Sequence, residues 1–154
     1  MTLWGKLEAQ FGIDAPADQF HDVFSCRPHH ISNMSPHNIH DCALHEGEWG
    51  KEGAIVCWKY FHDGSAKVAK QVIETIDDVN LLTVFKMIEG DLLKEYKSFK
   101  FTVQATPKGE SSVVCWTLEY EKIHENIQDP YSLLEFIVQF SKDVSAHLVK
   151  CPKK

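Results

Sequence analysis

Histidine and cysteine side chains are concentrated near the start of the sequence. Six of the nine histidines and two of the five cysteines fall between positions 21 and 45. Three pairs have a spacing found in zinc sites: Cys26 and His29, His37 and His40, and Cys42 and His45. Residues three apart on a regular strand point to opposite faces, so a pair on a strand cannot bind one ion. A single pair on a helix supplies only two ligands, and we therefore predict no metal site.

Three residues have side chains suited to acid–base chemistry on a bound molecule. We place His40 on the inward face of a strand, where an imidazole titrating near neutral pH could polarise or deprotonate a ligand. Alternatively, His40 is a core histidine bonded to a backbone carbonyl. Glu89 and Asp91 flank a glycine at an expected cavity mouth and could act as paired carboxylates, or they could solvate a turn. The sequence leaves these alternatives open.

A glycine-rich loop over residues 47–53 invites comparison with phosphate-binding loops. Its glycines would let backbone N–H groups turn toward an anion. However, the loop lacks the Gly-Lys-Ser/Thr ending of a P-loop, and a strand follows it instead of a helix. We therefore predict a structural hairpin in which the glycines occupy positions with positive φ.

The elements that must position these residues follow from hydrophobic periodicity. Six runs of β-formers between residues 38 and 121 are separated by turn residues, which predicts six consecutive antiparallel strands after a first one. Apolar residues at helical spacing after Asp129-Pro130 predict a long amphipathic helix, 131–148. Asp14 is the expected N-cap of a short helix, 16–25, and Pro28 and Pro36 bracket a second one, 28–34. The predicted strands are 2–11, 38–46, 54–62, 66–76, 80–89, 95–106 and 111–121.

A sheet of seven strands with so long a helix predicts an α+β fold in which the sheet curls around the apolar face of the helix. The inward strand faces are aromatic with few polar groups, which suits either a ligand pocket or a solid core. Gln71, Thr83 and Tyr120 are the expected hydrogen-bond partners of a ligand. The predicted ligand contacts on the strands are His40, Trp58, Tyr60, Gln71, Thr83, Phe85, Met87, Phe99, Phe101 and Trp116.

Composition limits the function classes. The net charge of −6 predicts no basic face for nucleic acid. The N-terminal residues lack the basic and apolar regions of a signal peptide, and no run of eighteen apolar residues predicts membrane insertion. Five cysteines without a framework spacing, Cys151 among them, indicate free thiols in a reducing compartment. We expect a cytoplasmic protein of one domain, 1–154, without a cofactor.

Four segments carry a resemblance to a known family. The chain resembles the birch-pollen-allergen superfamily of plant proteins and, within it, the major latex protein (ripening-related) family. The resemblance implies a helix-grip fold, in which a curved seven-stranded sheet encloses a large apolar cavity, with two short helices after strand 1. The segments are 34–39 (MSPHNI), 45–53 (HEGEWGKEG), 88–97 (IEGDLLKEYK) and 116–122 (WTLEYEK).

The resemblance also implies a function. It points to binding, sequestration or transport of a hydrophobic small molecule such as a hormone, steroid, lipid or secondary metabolite, in a defence- or stress-related role. Carried over by position, Leu133, Phe136, Ile137 and Phe140 on the long helix are further ligand contacts. The alternative is an isomerase or cyclase of plant secondary metabolism that uses His40, Glu89 and Asp91. No protein partner is identified by the sequence.

Overall fold

The computed structural model describes residues 3–150. One long strand is followed by short helical segments, six more strands and a long helix. A single 3₁₀ turn, Pro28–His30, runs directly into the helix α2, and another, Asp91–Lys94, separates β5 from β6. The elements are β1 (Trp4–Ile13), α1 (Ala17–Cys26), α2 (Ile31–Met34), β2 (Ile39–Glu46), β3 (Ile55–His62), β4 (Ser65–Asp77), β5 (Leu82–Gly90), β6 (Tyr96–Lys108), β7 (Ser111–Lys122) and α3 (Tyr131–Lys150).

The strands form one antiparallel sheet in the order β1-β7-β6-β5-β4-β3-β2. Consecutive strands from β2 to β7 are neighbours, while β1 closes against β7, the last strand. Side chains alternate between the two faces, and each strand from β3 to β7 buries the residues that face α3. The predicted helix-grip fold of a curved seven-stranded sheet around a C-terminal helix is confirmed.

The helix α3 packs its apolar side into the sheet. The apolar stripe that predicted this helix is Leu133, Phe136, Ile137, Phe140 and Val144. The buried residues of α3 are Leu133, Leu134, Ile137, Phe140, Ser141, Val144, Ser145 and Leu148. Phe136 differs from the other predicted stripe residues because it is only partly buried. Hydrophobic burial of one helix face is the main source of helix stability in a protein of this size.

The start of α1 differs from the prediction. Pro16, with φ −62° and ψ 142°, occupies the N-cap position, and no side chain caps the helix. Asp14 is therefore not the N-cap. The predicted second helical segment is divided into the 3₁₀ turn at Pro28 and the short helix α2.

The glycine-rich loop of residues 47–53 packs against the 3₁₀ turn Pro28–His30, and two of its amides donate to backbone carbonyls. The Trp49 ring stacks on His29, with ring centroids 4.0 Å apart. The Gly53 N–H donates to the Ile73 carbonyl at 2.8 Å, and the Lys51 N–H donates to the Glu48 carbonyl. Gly47, Gly50 and Gly53 all have positive φ. These contacts support the structural interpretation of the loop.

Candidate functional site

An apolar cavity lies between the curved sheet and α3. Its volume is about 70 Å³, and its lining is almost entirely carbon. Strands β2 to β7 form one wall, and the first half of α3 forms the other. The lining residues are Phe24, Ile39, Trp58, Tyr60, Ala69, Gln71, Phe85, Met87, Leu92, Phe101, Trp116, Leu133, Phe136, Ile137 and Phe140.

Most of the residues singled out as ligand contacts lie in this lining. Strand alternation and the helical stripe were sufficient to place them there, because both periodicities are regular around the cavity. The predicted residues in the lining are Trp58, Tyr60, Gln71, Phe85, Met87, Phe101, Trp116, Leu133, Phe136, Ile137 and Phe140.

His40 lies outside the cavity. The pairing of β2 with β3 shifts register between Ile39 and Asp41, so that Ile39 is buried while His40 is exposed. The His40 ring instead stacks near Phe61 on the outer surface, with centroids 6.1 Å apart. The prediction that His40 faces inward is wrong, because a β-bulge moves a side chain to the opposite face.

Thr83 and Phe99 are buried but do not line the cavity. Phe99 stacks on Phe101 and Tyr120, with centroids 4.8 Å and 5.5 Å apart, and belongs to a packed aromatic cluster. The Thr83 side chain is fully buried, and its hydroxyl has no hydrogen-bond partner within residues 3–150. Tyr120 is also turned away from the cavity, since its hydroxyl donates to the Asp129 carboxylate at 2.6 Å.

Besides Ala69 on β4, three lining residues were absent from the predicted ligand contacts. Ile39 enters through the bulge in β2, Phe24 comes from α1, and Leu92 comes from the 3₁₀ turn after β5. The apolar spacing of α1 was a usable signal for Phe24. No periodic signal marks Leu92, because a single turn is too short to show one.

Two hydrogen bonds organise the few polar groups of the lining. The Trp58 indole N–H donates to the Gln71 side-chain oxygen at 2.8 Å, and the Gln71 amide nitrogen lies 3.5 Å from the Met87 sulfur. The Trp116 indole N–H donates to the Ser141 hydroxyl at 2.9 Å. Because a thioether is a weak acceptor, the Gln71 amide can donate a better hydrogen bond to a ligand oxygen.

The cavity is small compared with ordinary ligand sites. Pockets that hold drug-sized molecules have volumes of about 300–1,000 Å³, whereas this one has about 70 Å³. Rings fill much of the interior: Phe140 contacts Phe24, Trp116 and Phe136, with centroid distances of 5.4–6.3 Å. A larger ligand therefore requires displacement of lining side chains.

A second space, which we call the vestibule, lies beside the apolar cavity. Its volume is about 320 Å³, and its lining is mainly polar. The two spaces share Tyr60, Leu92 and Leu133 as walls. The other vestibule residues are His62, Asp63, Lys67, Asp91, Glu95, Tyr96, Asn126, Ile127, Gln128, Asp129, Pro130 and Ser132.

The Tyr60 side chain stands at the boundary between the two spaces. The residue as a whole is 94% buried, and its hydroxyl, which makes no hydrogen bond with residues 3–150, still reaches the open space. Burial, together with the negative charge of Asp91, raises the pKa of Tyr60 to about 12. The phenol is therefore neutral at physiological pH and available as a donor to a bound molecule.

Glu89 and Asp91 do not form a catalytic pair. Asp91 accepts hydrogen bonds from the Val68 backbone N–H at 2.8 Å and the Lys94 ammonium at 3.2 Å, which lower the pKa of its carboxyl. Glu89 points outward and lies 3.4 Å from the Lys70 ammonium. At Gly90 between them, φ is 134° and an added Cβ would lie 2.6 Å from the Val68 carbonyl oxygen, so the turn requires glycine.

Within residues 3–150, no three His, Cys, Asp or Glu side chains are grouped as metal ligands would be. No described helix is long and apolar enough to span a membrane. The described cysteines, at positions 26, 42, 57 and 115, are unpaired. Cys151 lies outside the described residues.

Sequence comparison identifies relatives over nearly the whole chain. The pattern of the pathogenesis-related protein Bet v 1 family matches residues 2–151. MLP-like protein 28 of Arabidopsis thaliana is 55% identical over 151 residues, which are 96% of this chain and 45% of that protein. MLP-like protein 43 of the same plant is 53% identical over 150 residues, 96% of this chain and 95% of the relative. The chain thus spans less than half of the first relative and nearly all of the second.

Structural comparison gives the same grouping. The crystal structure of major latex-like protein 151 from Panax ginseng matches with a TM-score of 0.92 and 46% identity, covering 94% of this chain and 97% of that one. Norcoclaurine synthase from Thalictrum flavum, in complex with dopamine and hydroxybenzaldehyde, matches with a TM-score of 0.76 at 18% identity. It covers 99% of this chain and 91% of that one. At 18% identity, the similarity to norcoclaurine synthase concerns the fold alone.

Proposed function

This chain belongs to the Bet v 1 family and, within it, to the major latex proteins, and from that premise we propose that it binds a hydrophobic small molecule. In this proposal residues 1–154 form a single ligand-binding domain. The ligand enters the space between the sheet and α3 and is held there noncovalently, for sequestration or transport.

The apolar lining of the internal cavity carries the proposal. Apart from the Gln71 amide and the edges of Trp58, Trp116 and Tyr60, the lining offers only carbon and sulfur. Such a surface favours an apolar ligand, because each buried Å² of apolar area contributes about 25 cal/mol. A single neutral amide orients the ligand at a low desolvation cost.

Binding of a ligand of ordinary size depends on movement at the partly buried end of the cavity. Phe136 is the lining residue of α3 that retains partial exposure, and Leu92 on the opposite 3₁₀ turn is also partly exposed. The Phe136 ring packs on Tyr60 and His62 at centroid distances of 5.7 Å and 5.3 Å. Displacing this ring would enlarge the cavity at its partly exposed end, next to Tyr60 and His62, which line the vestibule.

The wider role follows from the family and is part of the proposal. A defence- or stress-related carrier of a hormone, steroid, lipid or secondary metabolite fits both the lining and the description of the family as pathogenesis-related. A cytoplasmic location suits the unpaired described cysteines, since reducing compartments keep thiols free.

The alternative, an isomerase or cyclase, has less support. His40 is on the outer surface, Glu89 points outward, and Asp91 is held as a carboxylate by its donors. The three residues do not converge on a common space. We therefore propose binding without chemical conversion.

Titration with a neutral fluorescent dye, N-phenyl-1-naphthylamine, tests the proposal. After extraction of any co-purified apolar molecule, the wild type is expected to show saturable enhancement at one site. A69L, in which the new side chain projects into the cavity, should weaken binding by about tenfold or more. V68L is the matched control, since Val68 is the neighbouring residue on the outer face and is 53% exposed.

Two outcomes would overturn the binding proposal. One is the absence of saturable enhancement in wild-type protein shown to be folded by circular dichroism. The other is equal dye affinity in the A69L and V68L proteins. If A69L fails to fold, I137F introduces bulk from the helix side of the same cavity and replaces it in the comparison.

A further inference from the structure

The vestibule has the chemistry of a subsite for the polar end of a ligand. It is a 320 Å³ polar space that shares Tyr60, Leu92 and Leu133 with the apolar cavity. An amphiphile whose tail occupied the cavity would therefore place its head in the vestibule. This inference rests on the proposed function, because the tail must enter the cavity first.

We propose that the vestibule selects amphiphiles whose head donates hydrogen bonds and carries no negative charge, as an ammonium or a polyol does, and disfavours carboxylates. The selection is electrostatic, and it depends on polar groups that make no hydrogen bond with other described residues. Two observations, one on charge and one on a hydroxyl without a partner among the described residues, support it independently.

The charge balance of the vestibule is the first observation. Four carboxylates line it, and two of them are already paired: Asp91 with Lys94 at 3.2 Å and Asp129 with Lys122 at 3.1 Å. The remaining two make no hydrogen bond with residues 3–150. Among the described residues, the lining has one lysine, Lys67, and one histidine, His62, that could balance them.

The two remaining carboxylates are Asp63 and Glu95. The Asp63 carboxylate lies 3.5 Å from the His62 Nε2 but makes no hydrogen bond with it. The Glu95 carboxylate has no ion-pair partner within residues 3–150. A carboxylate head would meet this net negative charge, whereas ammonium or hydroxyl donors would bind to it.

The Tyr60 hydroxyl is the second observation. The residue as a whole is 94% buried at the junction of the two spaces, and its hydroxyl makes no hydrogen bond with residues 3–150. A phenol hydroxyl is both a donor and an acceptor, so without a protein partner it bonds to the molecule that occupies the space beside it. A hydroxyl head satisfies the phenol as donor or acceptor, and an ammonium satisfies it by donating to its oxygen.

Displacement of N-phenyl-1-naphthylamine by three octyl probes tests the selection. Octylamine, octyl glucoside and octanoate share one tail and are compared at neutral pH, below their micelle concentrations. The amine and the glucoside are each expected to displace the dye at a concentration lower by about threefold or more than octanoate. That factor corresponds to one partly exposed ion pair.

Variants assign the preference to the vestibule. In the D63N/E95Q double variant, octylamine, octyl glucoside and octanoate should displace the dye at similar concentrations. E110Q removes an exposed carboxylate from the β6–β7 turn, at the other end of β6 from Tyr96, and should preserve the wild-type order. Higher salt should also narrow the gap between octylamine and octanoate.

Failure of the proposed function and failure of the head-group selection would give different results. If the dye itself does not bind, the proposed function fails. If the dye binds but octanoate displaces it at a concentration less than about threefold above that of either other probe, the selection is wrong. An unchanged preference in the folded double variant would also overturn it.

Discussion

The two halves of α3 are attached to the rest of the protein in different ways. In the second half, three residues make hydrogen bonds: Ser141 accepts from the Trp116 indole, Ser145 accepts from the Ala15 backbone N–H, and Asp143 accepts from the Ser35 hydroxyl. In the first half, Leu133, Phe136, Ile137 and Phe140 meet the sheet through apolar side chains.

We infer that the two halves of α3 have different roles: the second half stabilises the fold, and the first half adjusts to a ligand. Directional hydrogen bonds fix the second half of α3, and their loss would leave buried polar groups without partners. Apolar contacts are not directional, so the first half can shift with less loss. The cavity and the vestibule both lie beside the first half.

The largest contrast is expected between two phenylalanines of α3. F140A should lower the free energy of unfolding by about 3–4 kcal/mol, because Phe140 is enclosed by three aromatic rings. F136A should cost about 1–2 kcal/mol, since its ring is partly exposed at the cavity edge. Urea denaturation of both variants gives the comparison. Equal losses would show that the cavity edge at Phe136 is packed as tightly as the enclosed site of Phe140.

A serine pair tests the hydrogen bonds of the second half. S141A should destabilise the protein by about 1–3 kcal/mol, because it leaves the buried Trp116 N–H without its acceptor. S132A is the control from the exposed face of the first half and should change stability by less than about 0.5 kcal/mol. Matching thermal denaturation curves for the two variants would contradict the assignment.

Acid should weaken the attachment at the start of α3. Hydrogen bonds from Tyr120 and Lys122 hold the pKa of Asp129 below its ordinary value of 3.8. Because the folded-state pKa is depressed, this contribution is present above the unfolded value and is lost as pH falls through the folded one. Since Asp129 is partly exposed, the contribution at neutral pH is about 1 kcal/mol or less.

The D129N variant isolates this contribution. Its stability should be lower than that of the wild type at neutral pH, and the two should converge as pH falls below about 4. Urea denaturation at a series of pH values measures the difference. A constant difference across the acid range would mean that the Asp129 carboxylate does not contribute as described.

The smallest effect is expected at His40, outside both halves of the helix contact. H40A should change stability by less than about 0.5 kcal/mol and leave dye affinity unchanged, because the ring lies on the outer surface. Dye titration and denaturation of the same sample provide the check. Loss of dye binding would place His40 in the cavity and restore its candidacy as a catalytic group.

The regular parts of this molecule could be predicted from the sequence. Strand alternation and helical spacing located the sheet, the helix α3 and most of the cavity wall, because these periodicities depend on local geometry. The β2 bulge could not be predicted, since a single extra residue leaves the surrounding pattern intact while reversing the direction of His40. The cavity volume could not be predicted from the sequence either, because it depends on how rings such as Phe136 and Phe140 pack together.

The indole N–H signals of the four tryptophans give the most direct test of ligand binding beside α3. Trp58 and Trp116 line the cavity and donate to Gln71 and Ser141, whereas Trp4 is 61% exposed and Trp49 packs on His29. In a ¹⁵N–¹H spectrum, titration with N-phenyl-1-naphthylamine should shift the Trp58 and Trp116 signals saturably and leave Trp4 and Trp49 in place. A dye that binds while the Trp58 and Trp116 signals stay fixed would contradict the account.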